Sequence, residues 1–68
     1  MQKGNRVNSE RIKEARLFRK MTMADLAESV GINKQAISQF ENNKTTHEPL
    51  TLQKISEALD FPYSFFLE

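Results

Sequence analysis

The fold of this 68-residue chain is decided by residues 21–44, whose sequence is MTMADLAESVGINKQAISQFENNK. Two helical patterns flank a glycine in this stretch. Thr22 has the side chain of an N-cap, and Asp25, three residues later, completes a capping box. Gly31 accommodates the left-handed backbone that ends a helix. We therefore predict a helix that begins after Thr22 and ends at Gly31, followed by a second helix capped by Asn33.

The second of these helices is amphipathic and extends to about Glu41 or Asn42. Its apolar residues Ala36, Ile37 and Phe40 fall within about one third of the helix circumference. Polar side chains occupy the opposite face, namely Gln35, Ser38, Gln39 and Asn42, with Lys34 at its edge. The two helices form a helix-turn-helix, and the spacing alone leaves two interpretations open: a DNA-binding unit or an ordinary small helical bundle.

The rest of the chain also has helical spacing and no alternating strand pattern. We predict a helix from Asn8 or Ser9 to Lys20, a fourth helix capped by Thr51, and a short last helix opened by Pro62. The expected architecture is an all-α bundle of five helices. We expect the chain to consist of a flexible basic arm, residues 1–7, and one domain, residues 8–68.

Charge is unevenly distributed along the chain. The formal net charge is +1, but residues 1–20 hold seven Lys or Arg against two Glu, and the remainder is mildly acidic. There is no cysteine and one histidine, so thiolate chemistry and a multi-histidine metal site are excluded. The composition predicts a non-enzyme without cofactor or metal, in a cytoplasmic location.

Four stretches of the sequence resemble the phage repressor/Cro family of helix-turn-helix proteins, of the xenobiotic-response-element type. They are IKEAR at 12–16, MTMADLAESVGI at 21–32, QAISQFENNK at 35–44 and LQKISEAL at 52–59. The similarity extends over about residues 9–67. It implies a lambda-repressor-like five-helix bundle that contacts the DNA major groove as a dimer.

The resemblance places base contacts on the second helix of the motif. They are assigned to Lys34, Gln35, Ser38 and Gln39. A glutamine amide bonds bidentately to adenine, and a lysine donates to guanine O6 and N7. The alternative interpretation is that these side chains only form a solvated polar face.

Phosphate contacts are expected beside the motif. They are assigned to Thr22, Met23, Asn42, Lys44, Thr45, Thr46 and Arg6. The N-terminus of a helix attracts anions through its free N–H groups. The family has a glutamine where this chain has Met23, so that contact loses its polar side chain.

Further residues are assigned structural or contact roles. The resemblance implies that Arg16 pairs with Glu41, and Gly31 forms the turn. An apolar surplus is expected to form a dimer or docking patch, which comprises Leu17, Phe18, Phe65 and Phe66. Phe65 is also a candidate for the core. The patch fits either a homodimer seam or a docking face for a further domain, since the ending FPYSFF resembles helix-turn-helix domains that precede a metallopeptidase-like domain.

These observations predict a sequence-specific DNA-binding transcriptional regulator, specifically a repressor, of bacterial or phage type. It would bind a pseudo-palindromic double-stranded operator as a homodimer. The alternative is a protein-interaction or dimerisation module, the N-terminal part of a larger regulator, with little DNA affinity of its own.

Overall fold

The computed structural model describes residues 7–44 and 48–67. These residues form four α-helices and a one-turn 3-10 helix. The elements are α1 (Ser9–Phe18), α2 (Met23–Val30), α3 (Lys34–Glu41), α4 (Pro49–Leu59) and the 3-10 helix (Tyr63–Phe66). Within the described ranges, the only β-type pairing is an isolated antiparallel bridge between Val7 and Leu67, which lie outside these helices. The all-α prediction is confirmed, but the fifth helix is a 3-10 turn, and Pro62 precedes it instead of lying within its first turn.

The helices enclose one hydrophobic core. Helix α2 packs against α3 and α4, α1 packs against α3, and the 3-10 helix packs against both α1 and α4. The seven side chains that are most completely buried come from all five elements. They are Ile12, Leu26, Ile37, Leu52, Ile55, Leu59 and Phe66. Every helix therefore contributes to a single core, as expected for so short a chain.

Local capping fixes the α2–turn–α3 unit as predicted. The backbone N–H of Asp25 donates to Thr22 Oγ1 at 3.0 Å, and the N–H of Thr22 donates to Asp25 Oδ2 at 3.1 Å. Gly31 ends α2 with a φ of 87°. Asn33 Oδ1 then accepts from the N–H of Ala36 at 2.8 Å. Each of these contacts spans no more than one helical turn, so it is available to the local sequence.

Two predicted helix boundaries are wrong. Helix α4 begins at Pro49, and Thr51 lies inside its first turn instead of capping it. Proline suits this first position because its φ is already helical and its missing N–H is not needed there. Helix α1 ends at Phe18, two residues before the predicted end at Lys20. Lys20 adopts a φ of 60°, which takes the chain out of the helix.

The two ends of the described chain meet on α1. The N–H of Asn8 donates to Phe66 O at 2.7 Å, next to the Val7–Leu67 bridge. Val7, which the prediction included in the arm, is half-buried against the core. Residues 1–6 of the arm lie outside the described residues. No helix within the described ranges is long and apolar enough to cross a membrane.

Candidate nucleic-acid interface

Helix α3 separates its apolar and polar side chains onto opposite faces. Ile37 and Phe40 are buried, whereas Lys34, Gln35 and Gln39 are exposed. Ser38 lies between them and is half-buried. We call Lys34, Gln35, Ser38 and Gln39 the polar face of α3. The helix has 8 residues. An α-helix with its side chains is about 10–12 Å across, so a helix such as α3 fits the major groove, which is about 12 Å wide.

A buried ion pair holds α3 against α1. Arg16 Nε donates to Glu41 Oε2 at 2.7 Å, and Arg16 Nη2 donates to Glu41 Oε1 at 3.1 Å. The third contact of this guanidinium is Met21 O, at 2.9 Å from Nη1. Both charged side chains are almost fully buried. The bidentate geometry restrains the rotation of α3, so it sets the direction in which the polar face points.

The C-terminal end of α3 presents the exposed side chain of Lys44 and the Asn42 amide, which is hydrogen-bonded within the helix. Asn42 Nδ2 donates to Ser38 O at 2.8 Å and to Ser38 Oγ at 3.3 Å. Asn43 follows with a φ of 57°, a conformation that asparagine tolerates. Lys44 is exposed, and its backbone N–H donates to Gln39 O at 2.8 Å. Three of the predicted phosphate-contact residues, Arg6, Thr45 and Thr46, lie outside the described residues.

The N-terminus of α2 is less open to an anion than the sequence suggests. The side chain of Met23 is half-buried and packs against the core. The Thr22 hydroxyl already accepts from Asp25, and the Asp25 carboxylate lies at the same terminus. What remains for a phosphate is the Thr22 hydroxyl proton and the first backbone N–H groups of the helix.

A family model described as a helix-turn-helix domain matches residues 9–67 of this chain. The chain belongs to the helix-turn-helix domain family. It is 38% identical over 55 residues to the HTH-type transcriptional repressor RghR of Bacillus subtilis, covering 79% of this chain and 41% of RghR. It is 34% identical over 59 residues to the HTH-type transcriptional regulator SutR of Escherichia coli, covering 87% of this chain and 33% of SutR.

This helix-turn-helix domain thus spans between a third and two fifths of the length of the curated relatives it matches. Among solved structures, it is similar to the P22 c2 repressor protein bound to a synthetic operator, with 31% identity and a TM-score of 0.83. That match covers 94% of this chain and 97% of the repressor chain. The predicted repressor-like fold is confirmed, and the regulators among its relatives support the prediction that the domain is not an enzyme.

Arg19 has a structural role in this helix-turn-helix domain that the sequence did not reveal. Its Nε donates to Leu59 O at 2.6 Å and its Nη2 donates to Asp60 O at 2.9 Å, so it satisfies carbonyls at the end of α4. The guanidinium lies 4.7 Å from the ring centroid of Phe61 and 5.2 Å from that of Phe18. Helical periodicity could not identify these partners, because they lie about 40 residues away in the chain.

Arg11 makes a similar long-range contact. Its Nη1 donates to Phe65 O at 3.0 Å and to Leu67 O at 3.3 Å. Together with Arg16 and Arg19, it uses much of the positive charge of the N-terminal third to hold the domain together. This charge is therefore directed at carbonyls, a carboxylate and aromatic rings within the protein.

The structure divides the four residues of the predicted apolar patch. Leu17 and Phe18 are 55% and 70% exposed, whereas Phe66 is fully buried and belongs to the core. Phe65 is half-buried, and its ring makes a tilted contact with Phe61 and an edge-to-face contact with Phe66. An open apolar groove lies beside Phe18, lined also by Ala15, Phe61 and Phe65. Leu50 and Tyr63, which were not assigned to the predicted patch, are also exposed.

Proposed function

We propose that this helix-turn-helix domain binds DNA sequence-specifically and belongs to a transcriptional repressor. The observation that carries this proposal is the exposed polar face of α3, held in one orientation by the buried Arg16–Glu41 pair. A helix that buries one face and fixes the other outward is what major-groove recognition needs. The operator complex of the similar P22 c2 repressor and the name of RghR support the same proposal.

The chemistry of the polar face favours base contacts over charge attraction. Gln35 and Gln39 present amides that bond bidentately to adenine, and Lys34 donates to guanine O6 and N7. Each good bidentate pair discriminates by about 1–3 kcal/mol against the wrong base. Lys34 is the only charge on this face, and Arg11, Arg16 and Arg19 are engaged within the protein. We therefore expect modest affinity for non-specific DNA and a strong dependence on the base sequence.

We further propose that two copies bind one operator. A homodimer would place two α3 helices about 34–36 Å apart, on half-sites of a pseudo-palindromic sequence. Leu17 and Phe18 offer exposed apolar surface for such a contact, beside the groove lined by Phe61 and Phe65. Repression would follow because the bound dimer blocks the access of polymerase. A protein with this role works in the cytoplasm of a bacterium, where the DNA is.

Selection of bound sequences from a random double-stranded DNA library tests the proposal. We expect one enriched motif with two-fold symmetry. Gln35→Ala should relax the preference at one base position per half-site by about tenfold or more, because one bidentate contact is lost. The matched variant Lys44→Ala should weaken binding to all sequences equally and lower the salt slope by about one. Equal loss on all sequences for Gln35→Ala contradicts a base contact at this residue.

A second candidate function is a protein-interaction module within a larger regulator. The exposure of Leu17 and Phe18 favours it. In that case the random library would yield no enriched motif, and binding to mixed DNA fragments would be absent at low salt. Sedimentation of the wild-type domain and of the Phe18→Ser variant, both at micromolar concentration, would then report whether the apolar surface joins two copies.

A further inference from the structure

The side chain of Asn42 is committed to Ser38, one helical turn earlier. Its Nδ2 lies 2.8 Å from Ser38 O and 3.3 Å from Ser38 Oγ. The orientation of this amide follows from its chemistry. Since Ser38 O is a carbonyl oxygen, it only accepts hydrogen bonds, and the opposite orientation would place Asn42 Oδ1 against it. The group beside the Ser38 hydroxyl is therefore an N–H donor.

This neighbour determines how the Ser38 hydroxyl is used. A serine hydroxyl donates one proton and accepts through its oxygen lone pairs. Because Asn42 Nδ2 donates to Oγ, the oxygen accepts on this side and its own proton points away from Asn42. Within the described part of the chain, this hydroxyl donates no hydrogen bond, whereas the hydroxyl of the buried Ser56 donates to Gln53 O at 2.7 Å. Ser38 therefore keeps a directed donor on the polar face of α3.

We propose that Asn42 is a positioning residue that makes Ser38 a dedicated hydrogen-bond donor to a base, and thereby sets specificity at one operator position. This inference rests on the proposed function. A hydroxyl restricted to donation bonds to purine N7, guanine O6 or thymine O4, and finds no match in the amino groups of adenine and cytosine. Asn42 thus acts through Ser38, in contrast to the phosphate contact predicted for it from the sequence.

A double-mutant cycle read out by library selection tests this role. The wild-type domain, Ser38→Ala, Asn42→Ala and the double variant are compared at every base position. We expect Asn42→Ala to reduce discrimination by about three- to tenfold at the same base position that Ser38→Ala affects. Without Asn42 Nδ2, the direction of the Ser38 hydroxyl proton is no longer fixed, and one directed hydrogen bond is weakened. In the Ser38→Ala background, Asn42→Ala should have no further effect at that position.

Two controls separate this role from others. Lys44→Ala should weaken binding uniformly, without changing the preference at any base. Asn42→Asp has nearly the shape of asparagine but has no donor, so it should also lose discrimination at the Ser38 position, in addition to a uniform loss from its negative charge. Circular dichroism melting verifies that each variant is folded, and we expect only small changes because Asn42 is exposed.

The outcomes are distinguishable. If Asn42→Ala weakens all sequences equally, lowers the salt slope by about one and adds to Ser38→Ala, then Asn42 contacts a phosphate and the inference is overturned. Unchanged discrimination in Asn42→Asp also overturns it, since the donor would then be irrelevant. If the wild-type domain enriches no sequence at all, the proposed function fails and this inference fails with it.

Discussion

The α2–turn–α3 unit and the closing end of the bundle are held together by different kinds of contact. We define the closing end as α1 with its cap residue Arg19, together with residues 60–67. In the first region, the decisive hydrogen bonds join residues three apart, as between Thr22 and Asp25. In the second, Arg11 reaches Phe65 O across 54 positions in the chain. The first region is specified locally, whereas the second depends on how the helices pack.

The comparison of the two regions also shows which groups the positively charged side chains contact. The sequence concentrates seven of its ten Lys and Arg residues before position 21. In the structure, Arg16 binds a carboxylate, and Arg11 and Arg19 bind backbone carbonyls. The polar face of α3, where base contacts are proposed, contains one cation. The number of basic residues in a stretch of sequence therefore does not locate the proposed DNA-binding face when arginines form hydrogen bonds within the protein.

The largest expected effect concerns the aromatic residues of the closing end. Phe66→Ala should reduce the free energy of unfolding by about 3–5 kcal/mol, because a fully buried ring leaves a cavity. The matched variant Phe18→Ala, at a ring that is 70% exposed, should cost less than about 1 kcal/mol. Urea denaturation followed by circular dichroism measures both. Similar losses for the two variants would mean that both rings stabilise the bundle equally, which contradicts the structure.

The Arg16–Glu41 pair links the two regions. Glu41→Ala should cost about 3–5 kcal/mol, since it leaves the buried Arg16 guanidinium without its carboxylate. The double variant Arg16→Met with Glu41→Leu should be less destabilised than the single variant, because no unpaired charge is buried. Urea denaturation of the three proteins checks this order. A loss below 1 kcal/mol for Glu41→Ala would show that the pair is solvated.

Replacing Arg19 tests how strongly the closing end depends on hydrogen bonds between residues far apart in the sequence. Arg19→Ala should cost about 1–2 kcal/mol, since two carbonyls at the end of α4 lose a charged donor and two rings lose a cation–π contact. Lys13→Ala, at an exposed site on α1, should change stability by no more than about 0.5 kcal/mol. Thermal melting compares them, and equal shifts in Tm would contradict the role of Arg19.

The smallest expected effects concern the left-handed backbone positions. Gly31→Ala should cost about 1 kcal/mol through its φ of 87° alone, because an added Cβ would meet nothing within 4 Å. At the closing end, Asp60→Gly should gain about 0.5 kcal/mol, since Asp60 has a φ of 58° and offers only its backbone O to Arg19. Denaturation in urea measures both. A loss well above 2 kcal/mol for Gly31→Ala would indicate a steric contact.

Most of the α2–turn–α3 unit could be predicted from the sequence, because its signals act within one turn. Thr22, Gly31 and Asn33 mark helix ends through their own side chains or backbone freedom. The polar face of α3 could also be predicted, since helical periodicity separates it from Ile37 and Phe40. The hydrogen bond from Asn42 to Ser38 was not predicted, because the same spacing is compatible with an asparagine side chain directed at a phosphate.

The predictions that failed involve residues with more than one locally acceptable role. Thr51 has the chemistry of a cap, but Pro49 begins the helix two residues earlier. Phe66 and Phe18 are equally hydrophobic, yet one is in the core and the other is largely exposed. Nothing in their neighbouring residues distinguishes them, because burial depends on where α1, α4 and the 3-10 helix meet.

The sequence by itself determined the helix-turn-helix, its caps and the face of α3 that points outward. These features depend on backbone geometry and side-chain chemistry over three or four residues. Only the tertiary structure decided which aromatic residues fill the core and that Arg11 and Arg19 bond to backbone carbonyls. The arginine contacts join residues 40 to 56 positions apart, and they form only once the helices have packed.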